Sequence, residues 1–253
     1  MGAYKMKTEG SNAGWNRWAM VVLYAVAMAW VEAAVVFYLR TMIGRIEPFQ
    51  PNPLPLIGGF AGVELVREAA TLAMLFAVGY LAGPTWPARW GYAAIAFGVW
   101  DIFYYVFLRI MCGWPHGLLD WDILFLLPLP WWGPVAAPMM IALLMIVGGT
   151  FASQAGPGRE DELSKRRTGW KVWGLSLVGA VLALYVFMAD ALAAVSSGID
   201  AVRGTLPGRF HWPLIALAWL LMATPMASTA WRRLASSSAP TQESTLTGSS
   251  ETL

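Results

Sequence analysis

The sequence predicts an all-α integral membrane protein, and three observations carry that reading. Of its 253 residues, 58% are hydrophobic and only 13% are charged, far below the charged share of a soluble domain. The mean hydropathy is +0.55. Six apolar stretches, at 18–39, 63–83, 91–113, 134–152, 171–192 and 212–231, match the roughly 20 residues that a helix needs to cross a bilayer. They are rich in Ala, Leu and Gly and lack strand alternation. Because a bilayer satisfies no stray backbone group, each reads as a helix and not as part of a barrel.

The elements follow in order. Lys5, Lys7 and Arg17 precede the first stretch, and Ala25-Val26-Ala27 resembles a signal cleavage site. The apolar run continues to Leu39, beyond the roughly 7–15 residues of a signal core, so an uncleaved first helix is expected. Residues 45–59 hold four prolines and suit an extended loop outside the membrane. Residues 118–134 are apolar but too short to span, and are punctuated by Pro128, Pro130 and Pro134. A re-entrant or interfacial half-helix before the fourth spanning helix is expected there, with Asp122 as its N-cap. The fourth loop mixes Arg159, Lys165, Arg166 and Arg167 with Glu160, Asp161 and Glu162. A single polytopic domain over 1–234 is expected, followed by a Ser-, Thr- and Gly-rich cytoplasmic tail over 235–253 that should be disordered.

Orientation follows from the basic residues. Eleven of the seventeen Lys and Arg fall on the termini, the second loop and the fourth loop with its flank. Under the positive-inside rule, both termini are then cytoplasmic in a cell (inner) membrane. Trp86, Trp90, Trp114, Trp131, Trp132, Trp170, Trp173 and Trp212 form the expected interfacial belt.

Several function classes fall away. A net charge of +2 offers no broad basic surface for nucleic acid. The single cysteine, Cys112, excludes an internal disulfide and a cysteine-rich metal site. The chain has no Gly-rich phosphate loop, H-E-x-x-H or nucleophile elbow, and no motif indicates a cofactor. The expected partners are the lipid bilayer and, against the charge-poor fourth and sixth helices, membrane subunits.

The functional lead is acidity inside the spanning segments. Glu32, Glu64, Glu68 and Asp101 interrupt apolar runs, and a carboxylate is costly in hydrocarbon unless it faces a bundle interior. Glu64, Arg67, Glu68 and Thr71 share one side of the second helix. Asp101, Tyr105 and Arg109 step by four along the third, with Tyr104 beside them. With the deduced orientation all of these lie in the outer half of the bundle, with Arg40 above at the interface and His116, Asp120, Asp122 and His211 as outer, secondary candidates. Trp100-Asp101-Ile102 and Trp121-Asp122-Ile123 echo each other 21 residues apart.

Arg67 and Arg109 can neutralise two of the acids, which yields a packing network. The surplus carboxylates fit a cation, a proton or a small polar solute bound or passed by a pocket in the outer half. Glu64, Glu68, Asp101 and His116 are candidate metal ligands, although the Glu-x-x-His pairs of a bundle metal site are absent. His116 and His211 are the two residues that an axial haem pair would need. Two alternatives come from other classes. One is a membrane enzyme, metal-dependent or otherwise, acting on a lipid or quinone head group. The other is a non-catalytic subunit of a larger membrane complex.

Overall fold

The computed structural model describes residues 2–50, 60–154 and 162–228. The expected tail and the charged residues Arg159, Glu160, Asp161, Arg232 and Arg233 lie outside the described residues. In chain order the elements are α1 (Gly2–Met42), α2 (Phe60–Ala82), α3 (Trp86–Cys112), β1 (Trp121–Phe125), β2 (Trp131–Pro134), α4 (Ala136–Ser153), α5 (Glu162–Ala194), α6 (Ile199–Arg203) and α7 (Trp212–Met222). Among the described residues five helices, α1 to α5, are long and apolar enough to cross a membrane. The chain is therefore a multi-pass membrane protein of helical class.

The first five expected helix positions hold, while several boundaries move. Helix α1 begins at Gly2, well before the apolar run, and α5 begins at Glu162. Lys165, Arg166 and Arg167 are therefore helical instead of lying in a loop: a helix needs apolar residues only where it meets lipid. Thr85 caps α3, its hydroxyl accepting from the Ala88 N–H, and Gly113 ends the helix in the left-handed conformation at φ 78°, where glycine carries no Cβ penalty. Helix α7 spans 11 residues, followed by a turn at Ala223 and a further helical stretch over 224–228.

Small residues set the packing. In lipid there is little hydrophobic drive between helices, so close backbone approach supplies the contact energy. Ala25, Ala29 and Ala33 recur every four residues on α1 and are fully buried, the first two beside Ile95, Ala96 and Val99 of α3 and the third beside Tyr105 and Leu108. On the opposite side of α3, a Cβ at Gly98 would lie 2.5 Å from the Ala142 carbonyl oxygen of α4, and one at Gly149 would lie 2.4 Å from the Gly91 carbonyl oxygen. Helix α3 is thus the hub, packed by α1, α2 and α4.

Helix α7 runs back along α5. Ser176 donates to the Met222 carbonyl at 3.4 Å and Thr224 to the Val172 carbonyl at 3.3 Å, while Phe187 meets Phe210 at the other end. Trp18, near the start of the apolar part of α1, donates to Thr150 near the end of α4 at 3.0 Å, and Tyr92 near the start of α3 donates to the Gly14 carbonyl at 3.2 Å. One end of the bundle thus carries the start of the apolar part of α1, the start of α3 and the end of α4.

The other end carries the largest departure from expectation. Residues 118–134 form no half-helix; they fold as an antiparallel hairpin, with Asp122 opposite Gly133 and Ile123 opposite Trp132. The Val135 N–H donates to the Asp120 carbonyl at 3.0 Å and the Ala136 N–H to the Leu118 carbonyl at 2.7 Å, extending the pairing into α4. The physical reason lies in the residues. Trp, Ile and Phe favour extended backbone, and Pro128 and Pro130, which lack the N–H a helix needs, leave 126–130 as the connection. A hairpin edge is not tolerated bare in lipid, and this one is tucked into the bundle. Gly133 lets the Phe187 ring of α5 lie against its backbone, since a Cβ there would come within 2.8 Å of the ring.

Candidate functional site

The polar residues of the spanning segments gather around this hairpin. Glu32 of α1 and Glu64 of α2 share Arg67: its guanidinium ion-pairs with Glu32 and lies 2.8 Å from Glu64 Oε2. Thr71, one turn along α2, donates to Glu32 Oε2 at 3.1 Å. The stripe expected on α2 is therefore real, and its partner is the acid of α1.

Glu68 serves a different neighbour. The Leu126 N–H at the start of the hairpin connection donates to its two carboxylate oxygens at 3.0 and 2.9 Å. A bent, proline-containing connection cannot pair its own amides, so the α2 carboxylate supplies the missing acceptors.

A second tie anchors β1. Arg40 of α1 donates to Asp122 Oδ1 at 2.8 Å, with the two side chains 9% and 1% exposed. Its guanidinium also reaches the Ile46 carbonyl at 3.3 Å and lies over the Trp114 ring, 4.3 Å from the centroid. Arg40 is consequently a buried ion-pair partner. Asp122 is not a helix N-cap but the inward-facing carboxylate of a strand. Burial raises its pKa above the usual carboxylate range, against the opposing pull of Arg40, the Ile123 N–H and the Tyr105 hydroxyl.

Asp101 and Tyr105 occupy the α3 face of the same cluster. Both are buried, and Tyr104 beside them lies within electrostatic reach of Asp122, Arg40, Arg67 and Asp101. Among the described residues Asp101 Oδ2 accepts no hydrogen bond, and the same is true of Asp122 Oδ2, although the Tyr105 hydroxyl and Ile123 N–H lie close to that carboxyl. The buried indole N–H groups of Trp100, Trp131 and Trp132 also have no acceptor.

Four sequence-derived candidates lie apart from the cluster. Arg109 is exposed and donates to the Gly113 and Pro115 carbonyls, so it caps the end of α3 and neutralises no acid. His116 stands 3.9 Å from Glu47 and 3.6 Å from Asp120 in the loop after α3, where Asp120 also accepts from the His116 and Gly117 N–H groups at 2.6 and 3.2 Å. His211 is exposed at the N-cap position of α7. The proposed ligand set of Glu64, Glu68, Asp101 and His116 is not brought together, and among the described residues no group of three or more His, Cys, Asp or Glu side chains is placed to hold a metal ion.

Two cavities open beside the hairpin. One, of about 180 Å³, is lined by Glu47, Phe49, Trp114, His116, Asp120 and Trp121 among others. Two of its lining residues neighbour the Arg40–Asp122 pair: Trp114 lies under the guanidinium, and Trp121 precedes Asp122 in β1. The other, of about 400 Å³, is an open aromatic cleft at the start of α7 with Arg209 in its wall. Sequence reasoning missed the hairpin partners of the acids, although the Trp, Ile and Phe content of 121–125 beside two prolines was the available signal. Compared with known proteins, the chain matches no family model, no curated protein and no solved structure.

Proposed function

We propose that this chain is a six-pass protein of a cell (inner) membrane, with both termini cytoplasmic and the hairpin end outward, that binds or passes a proton or small cation at the polar cluster under the hairpin. The sixth pass is α7 together with 224–228, supported by its antiparallel run along α5. The functional reading rests on one observation: Asp101 holds a carboxyl oxygen in the bundle interior with no donor to satisfy it. Its surroundings strengthen the case. Five acids, Glu32, Glu64, Glu68, Asp101 and Asp122, share two guanidinium groups, those of Arg67 and Arg40. A surplus of carboxyl groups in a medium of low dielectric is where a positive charge is accommodated at least cost. The cavity of about 180 Å³ beside Trp114 and Trp121 lies next to the residues that flank the Arg40–Asp122 pair.

The test is proton and monovalent-cation flux into proteoliposomes under an imposed gradient, for the wild type and Asp101→Asn at matched insertion. The wild type is expected to conduct above empty vesicles and the variant to fall to their level. Equal flux in wild type and variant, or wild-type flux equal to empty vesicles, overturns the reading.

A second reading, an enzyme acting on a lipid or quinone head group, draws on the aromatic cleft of about 400 Å³ with Arg209 in its wall. It predicts head-group turnover that is lost in Arg209→Ala and kept in Asp101→Asn.

A further inference from the structure

Among the described residues, two carboxyl oxygens are fully buried without a hydrogen bond, Asp101 Oδ2 and Asp122 Oδ2. They come from different elements, α3 and β1, so the folding of the hairpin onto the bundle is what brings the two groups into one environment. The two elements meet at this level: the ring of Phe125 of β1 lies 6.2 Å, centroid to centroid, from that of Trp100, the residue before Asp101. Tyr105, one turn along α3 from Asp101, lies within reach of both.

The charged and titratable surroundings are few. From α1, Arg40 is committed to Asp122 Oδ1. From α2, Arg67 is committed to Glu32 and Glu64 and acts on Tyr104. From α3 come Tyr104 and Tyr105 themselves. One guanidinium therefore faces two carboxyl groups, and it compensates only one of them. Two carboxylates in one buried site cannot both stay ionised without a second positive charge. A metal ion would need a set of three or more ligands that is not assembled among the described residues, whereas a proton needs no further ligand and no cavity.

We propose that Asp101 and Asp122 form a coupled carboxyl pair that holds one proton between α3 and the hairpin, with the Tyr105 hydroxyl spanning the two groups. This deepens the proton-site reading above and rests on it: the bound species is a proton taken up from the outer side, and its seat is shared by the helix and the hairpin. No bond other than O–H forms or breaks, and one proton enters per chain.

The experiment is infrared difference spectroscopy of the purified full-length protein through a pH titration in H₂O and D₂O, for the wild type, Asp101→Asn, Asp122→Asn and Tyr105→Phe. In the wild type one protonated-carboxyl band, shifted by deuterium, is expected. Asp101→Asn should abolish it, and Asp122→Asn should move its titration midpoint by about one pH unit or more, the size of interaction that defines a coupled pair. An unchanged midpoint in Asp122→Asn shows that Asp101 acts alone and overturns the pair. A wild type without the band, or a band retained in Asp101→Asn, overturns it as well. Should Asp122→Asn fail to fold, Tyr105→Phe carries the test, because losing the bridge must shift the same midpoint and an unmoved one refutes the proposal. Flux is read on the same preparations. A coupled band without flux leaves the pair standing and removes the transport reading, and flux lost in Asp101→Asn without a coupled band does the reverse.

Discussion

The Arg40–Asp122 tie makes a quantitative prediction about the hairpin. Asp122→Ala would leave the Arg40 guanidinium 9% exposed with no counter-charge. Removing one member of a buried pair costs about 3–5 kcal/mol, because the survivor keeps its desolvation penalty and loses its partner. The Trp114 face at 4.3 Å remains in the variant and returns part of that, about 0.5–2 kcal/mol at most. The hairpin should therefore open more often by about one to three orders of magnitude, at 1.4 kcal/mol per factor of ten. Hydrogen exchange of the β1 and β2 amides, followed by mass spectrometry in detergent, reads this directly. The amides of α5 and α7 serve as the internal reference. Combining Asp122→Ala with Arg40→Met should recover much of the loss, since a buried pair replaced on both sides by apolar groups is often close to neutral. A change in hairpin exchange below about threefold for Asp122→Ala, within the scatter of unrelated sites, would refute the reasoning. So would a double variant whose loss equals the sum of the two single ones.

Further outcomes follow from the same contacts. The Asp122 carboxyl is lifted by burial, so the folded protein binds its proton more tightly than the unfolded chain. That contribution to stability is present below the ordinary aspartate range and is lost as pH rises through the folded value. The thermal midpoint of the wild type relative to Asp122→Asn should thus improve as pH falls from neutral toward the ordinary aspartate range. Glu68→Ala strips the acceptor from the Leu126 N–H; local destabilisation of about 1–3 kcal/mol is expected, seen as faster exchange confined to the hairpin connection. Gly98→Ala or Gly149→Ala places a Cβ within 2.5 Å of a facing carbonyl oxygen and should cost about 1–3 kcal/mol, lowering the thermal midpoint. Gly117→Ala, with nothing within 4 Å of its Cβ, should leave the midpoint unchanged.

The helical class was legible because a bilayer demands long apolar runs, and α1 to α5 each contain one. Their ends were less legible: α1 and α5 continue as helix through charged sequence, which hydropathy marks as outside lipid but not as outside the helix. The acids on α2 were readable as a stripe from their spacing, since i and i+4 share a face. What each acid binds depends on tertiary packing. Glu68 meets an amide 58 residues away and Asp122 meets an arginine 82 residues away, and no local pattern encodes those pairings. Arg109 shows the opposite error. Its spacing from Asp101 and Tyr105 placed it in the stripe, but near the end of α3 its nearer opportunity is the helix's own terminal carbonyls. The hairpin escaped notice because an aromatic run bounded by prolines fits a short buried strand as well as a half-helix, and periodicity alone does not separate them.

The central claim is that Asp101 is kept for a bound positive charge and not for packing, and the thermal midpoint of Asp101→Asn tests it most directly. Since Asp101 Oδ2 has no donor to lose, an amide of nearly the same shape should leave the midpoint unchanged or raise it while flux disappears. A marked fall in the midpoint, with the hairpin loosened in the same variant, would make Asp101 a structural residue and contradict the account.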